Sequence, residues 1–370
     1  DANPDSTVQD QVNGLDWQPS GNASMFSFNE SNQDWDEVLD TENTTLSAGD
    51  AYLLMIRGSR AVNLESNASP TSDTKLESTG TITKGSVLIN PGVSNGEFAL
   101  IGNPFHAVVD LSQVNISNDG YRNNIYIFDP NIGGSANVNP DSNTLGGRGG
   151  YVTVKTSNGD TSVDSGLVIT ATDASNQLQP YQAFFVKAKG NGSPGTITFE
   201  EADKNVAGDQ VDVFSTSQQP RIFVTLFDQE SLDNLSTPDD GLVINFSPES
   251  SNAVDDNDAP KFFNQDEVIA RIENNNFISF ENRAMPVEED VLNLYIDQYR
   301  TTEYVLEVGV EYLPDNTAYL IDNYTDTELA LENNVSNVYN FSVDPTNSES
   351  IATDRFKIVF QSTTLGTDDF

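Results

Sequence analysis

The apolar residues of this chain come in short alternating runs, and turn-forming residues interrupt them before any run reaches helical length. Arg221–Asp228 shows the pattern: Ile222, Val224 and Leu226 alternate with Phe223, Thr225 and Phe227. That is the period-two spacing of a strand whose successive side chains point to opposite faces. Gly, Asn, Ser, Thr and Asp separate such runs roughly every eight to twelve residues, the rhythm of a β-sandwich. The pattern predicts an all-β chain, with at most one short helical turn, near Asp110–Val114.

Further strands are expected at Ser24–Phe28, Ala51–Arg57, Val62–Leu64, Phe98–Ile101, Asn124–Phe128, Tyr151–Lys155, Gln182–Ala188 and Thr196–Glu200, with Trp35 in an acidic turn. Thr79–Thr83 and Ser86–Ile89 flank Lys84-Gly85 as a hairpin. After a polar stretch at 208–219, strands follow at 241–246, 268–271, 277–280, 291–296, 303–310, 318–322, 337–343 and 355–361. The expected fold is two antiparallel β-sandwich domains in tandem, of jelly-roll or immunoglobulin-like type. They span 1–207 and 220–362, joined by a linker at 208–219 and followed by a flexible tail at 363–370.

Charge narrows the partners. There are 57 acids against 17 bases in 370 residues, a formal net charge of −40. Such a chain cannot neutralise a phosphate backbone, which argues against nucleic acid, and it is repelled by anionic membrane surfaces. It suits a saline or calcium-rich setting, where the Debye length is roughly 8 Å or less. No apolar run approaches the roughly 20 residues of a membrane-spanning helix. Cysteine is absent, which excludes disulfides, thiolate metal sites and cysteine nucleophiles.

Reactive patterns are sparse. His106 is the single histidine and has no Gly-x-Ser-x-Gly elbow to serve, so it reads as a loop residue. Glu200-Glu201, Asp239-Asp240 and Glu288-Glu289-Asp290 arise from composition, and strand neighbours point to opposite faces. Gly146-Gly147-Arg148-Gly149-Gly150 lacks the Gly-Lys-Ser/Thr ending of a phosphate loop. Asp354 and Arg355 form a local ion pair or cap a turn. Asp255, Asp256 and Asp258, with Asn257 between them, concentrate hard oxygen donors and are the candidate calcium ligands, calcium being the one cofactor expected. A glycan-binding surface would need exposed aromatics, for which Trp35 and Tyr121 are the candidates, with Trp17 and Tyr126.

Several segments together resemble a known group. They are Gly49-Asp50-Ala51-Tyr52 with Arg57-Gly58-Ser59-Arg60, then Leu100-Ile101-Gly102-Asn103-Pro104-Phe105, then Ile125-Tyr126-Ile127-Phe128-Asp129-Pro130. Next come Gly149-Gly150-Tyr151, Gln179-Pro180-Tyr181-Gln182-Ala183-Phe184-Phe185-Val186 and Thr198-Phe199-Glu200-Glu201-Ala202-Asp203-Lys204. The last are Ser251-Asn252-Ala253-Val254-Asp255 with Asp258-Ala259 and Lys261, and Ile351-Ala352-Thr353-Asp354-Arg355-Phe356. In order and spacing the chain resembles the C-terminal β-sandwich surface modules of Bacteroidota proteins exported by the type IX secretion system.

The resemblance implies an extracellular or outer-membrane-surface location and passage through the type IX machinery. It implies a non-enzymatic role as stalk, adhesion module or filament subunit, with other surface proteins, copies of itself or glycans as partners. The alternative is a carbohydrate-binding accessory module of a secreted polysaccharide-degrading enzyme. Members continue into a sorting domain that is removed at export, so Thr367–Phe370 reads as a processed end. The opening strand of the first domain is expected to be missing.

Overall fold

The computed structural model describes residues 23–41, 43–54, 79–116, 120–129, 150–156, 175–190, 194–205, 220–233, 238–263, 266–313 and 316–362. Trp17, the Val62–Leu64 strand, the Gly146–Gly149 run, the 208–219 linker and the 363–370 tail lie outside the described residues. The chain divides into two units. One comprises Asp1–Ile127, Val154–Thr161 and Ala174–Val211, the other Phe128–Thr153, Ser162–Asp173 and Asp212–Phe370.

The first unit is built on β1 (Met25–Asn29), β2 (Asp34–Glu37), β3 (Tyr52–Leu54), β4 (Val87–Ile89), β5 (Phe98–Gly102) and β6 (Val109–Asp110). The chain continues through β7 (Tyr121–Asp129), β8 (Gly150–Lys155), β9 (Gln177–Leu178), β10 (Ala183–Ala188) and β11 (Ile197–Phe199). Residues 128–129 of β7 and 150–153 of β8 count with the second unit. Sheet orders are β2-β1-β3, β5-β10-β7-β8, β11-β4 and β6-β9. Aromatic side chains join the first two sheets: Phe28 meets Trp35 edge-on at 5.4 Å and Phe185 of β10 at 4.8 Å. Such pairs add about 0.5–1.5 kcal/mol beyond their area burial.

The second unit comprises β12 (Arg221–Asp228), the short helix α1 (Gln229–Asp233), β13 (Asp240–Phe246), β14 (Ala259–Pro260), β15 (Val268–Glu273) and β16 (Asn276–Arg283). It continues through β17 (Val291–Asp297), β18 (Glu303–Glu311), β19 (Asn316–Asp322), β20 (Thr327–Leu331), β21 (Val335–Ser342) and β22 (Phe356–Ser362). These strands form one eleven-stranded sheet in the order β20-β19-β22-β17-β15-β16-β13-β12-β18-β21, with β14 added to β16. In β17, Leu292, Leu294 and Ile296 are buried while Val291 and Asn293 face out, the period-two pattern read from the sequence. Leu331 of β20 and Phe341 of β21, from opposite ends of the sheet path, belong to one core with Leu226, Leu306 and Phe360. The β15–β16 hairpin turns through Asn274 and Asn275, both at positive φ (49° and 62°), as a two-residue type I′ turn requires.

The described chain is thus nearly all β, as expected, and among the described residues its pairings are antiparallel apart from β13 with β16, Val243 opposite Phe280, and an isolated parallel bridge between Val310 and Asn333. Three local expectations are corrected. Thr79–Thr83 is not a strand; β4 instead pairs with β11, Val87 opposite Phe199. Trp35 lies in β2 rather than a turn, opposite Phe28. The single helical turn expected near Asp110–Val114 is a hydrogen-bonded turn, with Gln113 N–H donating to the Asp110 carbonyl, and the short helices stand elsewhere, a 3-10 turn at Glu201–Asp203 and α1. Among the described residues, no helix is long and apolar enough to cross a membrane.

Gly309 of β18 sits opposite Phe223 of β12, and a Cβ there would lie 1.8 Å from the Phe223 ring. The ring occupies the space that glycine leaves open. Gly309→Ala is expected to destabilise the second unit by about 1–3 kcal/mol through overpacking. In urea unfolding, the double variant with Phe223→Ala should lose less than the sum of the two single losses. Additive losses would mean that the ring does not depend on the glycine.

Candidate functional site: a polar cleft in the first unit

Several charged side chains that are buried in the second unit are consumed in bracing. Arg355 meets Asp322 of β19 through Nε (2.9 Å) and Nη2 (2.7 Å), and its Nη1 donates to the Ser342 and Ser350 carbonyls. The expected local role of Asp354 and Arg355 is corrected: the partner of Arg355 lies 33 residues earlier. Lys261 Nζ reaches Asp240 at 2.5 Å, and Ile269 N–H donates to the other Asp240 oxygen. Glu267 accepts from Arg300 Nε (2.6 Å) and the Tyr304 hydroxyl (2.8 Å). Of the composition-derived pairs, Glu200 accepts from the Ser86 hydroxyl and Glu201 from Gly85 N–H and Lys204. His106 is exposed and packs edge-on against Tyr181 at 5.2 Å.

The aspartates singled out for calcium diverge. Asp258 is 5 % exposed; its Oδ2 accepts Asp255 N–H at 2.8 Å and its Oδ1 accepts Asn282 N–H at 2.9 Å. Asp255 and Asp256 are exposed, and Asp255 Oδ1 accepts Asn257 N–H. Among the described residues, no three His, Cys, Asp or Glu side chains gather as a metal ion would need. A calcium site at this loop would show as a rise in melting temperature at millimolar calcium, since a ligand that prefers the native state raises it. A calcium-dependent rise that is lost in Asp255→Ala would restore the loop as a site.

The glycan candidates also separate. Tyr121 departs from the expected exposed ring: it is fully buried, and its hydroxyl donates to the Gly195 carbonyl at 3.1 Å. Tyr126 is buried as well. Trp35 is half-buried against Phe28 and Phe185. None of the three lines the cleft described next.

That cleft, of about 310 Å³, is walled by β1, the turn before β3, β4 and its following residues, and β5. The turn after β1 supplies Glu30. Asn29 Oδ1 accepts the Ser31 and Asn32 N–H groups, and Gln33 closes the turn at φ +56°. The Gln33 amide then clamps the edge of β5. It accepts Phe98 N–H at 2.7 Å and donates to the Phe98 carbonyl at 2.9 Å.

The opposite wall is the Ser47–Tyr52 segment. Asp50 Oδ2 accepts Ser47 N–H (3.0 Å) and the Tyr52 hydroxyl (3.3 Å). Gly102 N–H donates to the Gly49 carbonyl at 2.9 Å. This approach needs glycine on both sides. A Cβ on Gly102 would lie 2.4 Å from the Asp50 carbonyl, and one on Gly49, at φ +93°, 2.5 Å from Ile89.

The carboxylates influence each other. Burial raises the Glu30 pKa above the ordinary range. Its own N–H and that of Leu100 oppose the rise by hydrogen bonding, and the Asp50 charge adds to it. The Tyr52 hydroxyl is likewise raised, by burial and then by Asp50. The outward amides of β5 at Phe98 and Gly102 are thus bound, to Gln33 and Gly49.

Chemically, the cleft is a fixed set of hydrogen-bond acceptors beside an aromatic ring. The sequence displayed Gly49-Asp50-Ala51-Tyr52 and Leu100-Ile101-Gly102 as separate motifs; their glycines were the signal that two backbones meet there. Set against protein-family models, curated proteins and solved structures, the chain matches none.

Proposed function

We propose that this chain is a non-enzymatic component of a bacterial cell surface: a stalk, adhesive module or filament subunit exported by type IX secretion. Its finer architecture is two β-sandwich domains in tandem, jelly-roll or immunoglobulin-like, at 1–207 and 220–362. The observation that carries the reading is how the second unit spends its buried charges. Asp322–Arg355, Asp240–Lys261 and Glu267–Arg300 tie strand ends and the segments beside them together and leave those groups committed to rigidity. A shared core behind both ends of the sheet path supports the same role. The net charge of −40 keeps copies apart until partners or cations bridge them.

Brief protease treatment of intact cells is expected to release the chain without lysis. Cells lacking the type IX translocon should retain it in the periplasm. Release only upon lysis, or unchanged display without the translocon, would refute the proposal.

A further inference from the structure

We infer that Lys261 and Asp240 condense into an isopeptide bond, a covalent tie between the start of β13 and the residue that follows β14. The inference goes beyond the surface role and does not rest on it.

Geometry comes first. Lys261 Nζ lies 2.5 Å from Asp240 Oδ1. A carboxyl C–O bond is about 1.2 Å long, so Nζ stands within about 3.7 Å of the Asp240 Cγ. That is close to the ~3–3.5 Å of a near-attack contact. Both partners are also held. Lys261 N–H donates to the Phe277 carbonyl at 2.9 Å, and Nζ makes a longer second contact, 3.4 Å, to the Gly241 carbonyl. The carboxyl accepts Gly241 N–H on Oδ1 and Ile269 N–H on Oδ2, each at 2.8 Å. Reacting groups fixed in this way reach effective concentrations of about 10⁵–10⁸ M.

Burial comes second. The Lys261 side chain is 6 % exposed and that of Asp240 4 %. Two charges there have lost their water, a large penalty for ions. An amide carries no charge, and hydrolysing it would mean bringing water into a closed site and restoring both ions. The pair of Lys204 with Glu201 gives the contrast. At 2.8 Å, with side chains 16 % and 51 % exposed, that carboxylate stays hydrated and the pair stays ionic. Arg355 and Arg271, though buried, are excluded by chemistry, because a guanidinium keeps its proton.

The step balances without a co-reactant. One ammonium proton crosses the hydrogen bond to Oδ1 and leaves a neutral amine. The Nζ lone pair attacks Cγ, and negative charge develops on Oδ2, where the Ile269 N–H already points. A second proton passes from nitrogen to Oδ1. The Cγ–Oδ1 bond breaks, water leaves, and the third nitrogen proton remains on the new amide. The product closes the chain from 240 to 261 into a ring, so tension along the chain cannot draw out the residues between them.

The test is mass spectrometry of the purified full chain, kept folded at room temperature. Its intact mass should fall short of the sequence mass by one water. After denaturation and trypsin, the peptide 222–271 should appear uncut after Lys261 and one water light, with fragment ions linking positions 240 and 261. Lys261→Arg keeps the cation and should restore the full mass, as should Asp240→Ala. A succinimide at Asp240-Gly241 would shed the same water. It would persist in Lys261→Arg, yield to hydroxylamine, and leave the wild-type chain open to trypsin at Lys261.

Full mass in the wild type, a water loss that survives Lys261→Arg, or complete cleavage after Lys261 would overturn the inference. The wild-type peptide decides it even where a variant fails to fold. An unlinked pair would leave the surface role standing, since the protease experiment tests that role separately.

Discussion

Replacing Arg355 with alanine is expected to cost the second unit about 3–5 kcal/mol, the usual penalty for orphaning one member of a buried ion pair. The guanidinium is 2 % exposed and Asp322 1 %. Besides its two bonds to Asp322 it satisfies two carbonyls. It also lies 4.9–5.1 Å from the ring centres of Tyr324, Phe341 and Phe356. Burial alone would raise the Asp322 pKa, but hydrogen bonds from Arg355 and Tyr339 and the Arg355 charge outweigh it and hold the carboxyl below its ordinary value.

The pair's contribution is therefore complete above the unfolded carboxyl's pKa, about 3.9, and is lost as pH falls through the depressed native value. Near-UV circular dichroism of the surrounding tyrosines during urea unfolding reads this unit. Arg355→Lys should recover part of the loss, because it keeps the charge but not the two-pronged geometry. Arg355→Met with Asp322→Leu should recover more, since no buried charge is left alone. A loss below about 1 kcal/mol in Arg355→Ala, the range of exposed pairs, would mean that the pair does not brace the core.

Asp258 should make stability fall with rising pH, against the usual direction for carboxylates. Burial pushes its pKa up to about 7. The Asp255 and Asn282 N–H groups oppose the shift, while Glu281 and Asp255 add to it. Between about 4 and 7 the native chain then holds a proton that the unfolded chain has released. The contribution is complete below the unfolded pKa, declines across that window and is flat above it. At about 1.36 kcal/mol per pH unit the decline approaches ~4 kcal/mol. Asp258→Asn should abolish it, so the urea midpoints of variant and wild type would converge or cross between pH 4.5 and 8. Parallel profiles across that range would show that the carboxyl titrates at its ordinary value.

Much of the strand content was legible because burial and periodicity agree. β12, β17 and β22 put alternating apolar residues into one core, and their bounds match the sequence reading closely. β2 and β20 were missed for the opposite reason. Asp34-Trp35-Asp36-Glu37 and Thr327–Leu331 are largely exposed, so no hydrophobic alternation marks them. Pairing was less legible than content. β4 lies beside β11, more than a hundred residues away, while the local Lys84-Gly85 turn suggested a neighbour. The Asp322–Arg355 pair was hidden because strand register, not sequence distance, brings its members together. In the cleft, Gly49-Asp50 and Gly102 stood out as motifs. Gln33 carried no signal, since an amide imitating a strand edge looks like any other polar turn residue.

The bound outward amides of β5 have a consequence for crowding. A sheet edge with free N–H groups is a template on which another extended segment can zip, the first step of domain exchange and fibril growth. Along β5 an intruder would find the rungs at Phe98 and Gly102 already taken by an amide and a carbonyl. It could dock only by evicting both. Neither closure rests on an ionisable group, so the edge stays shut in acid.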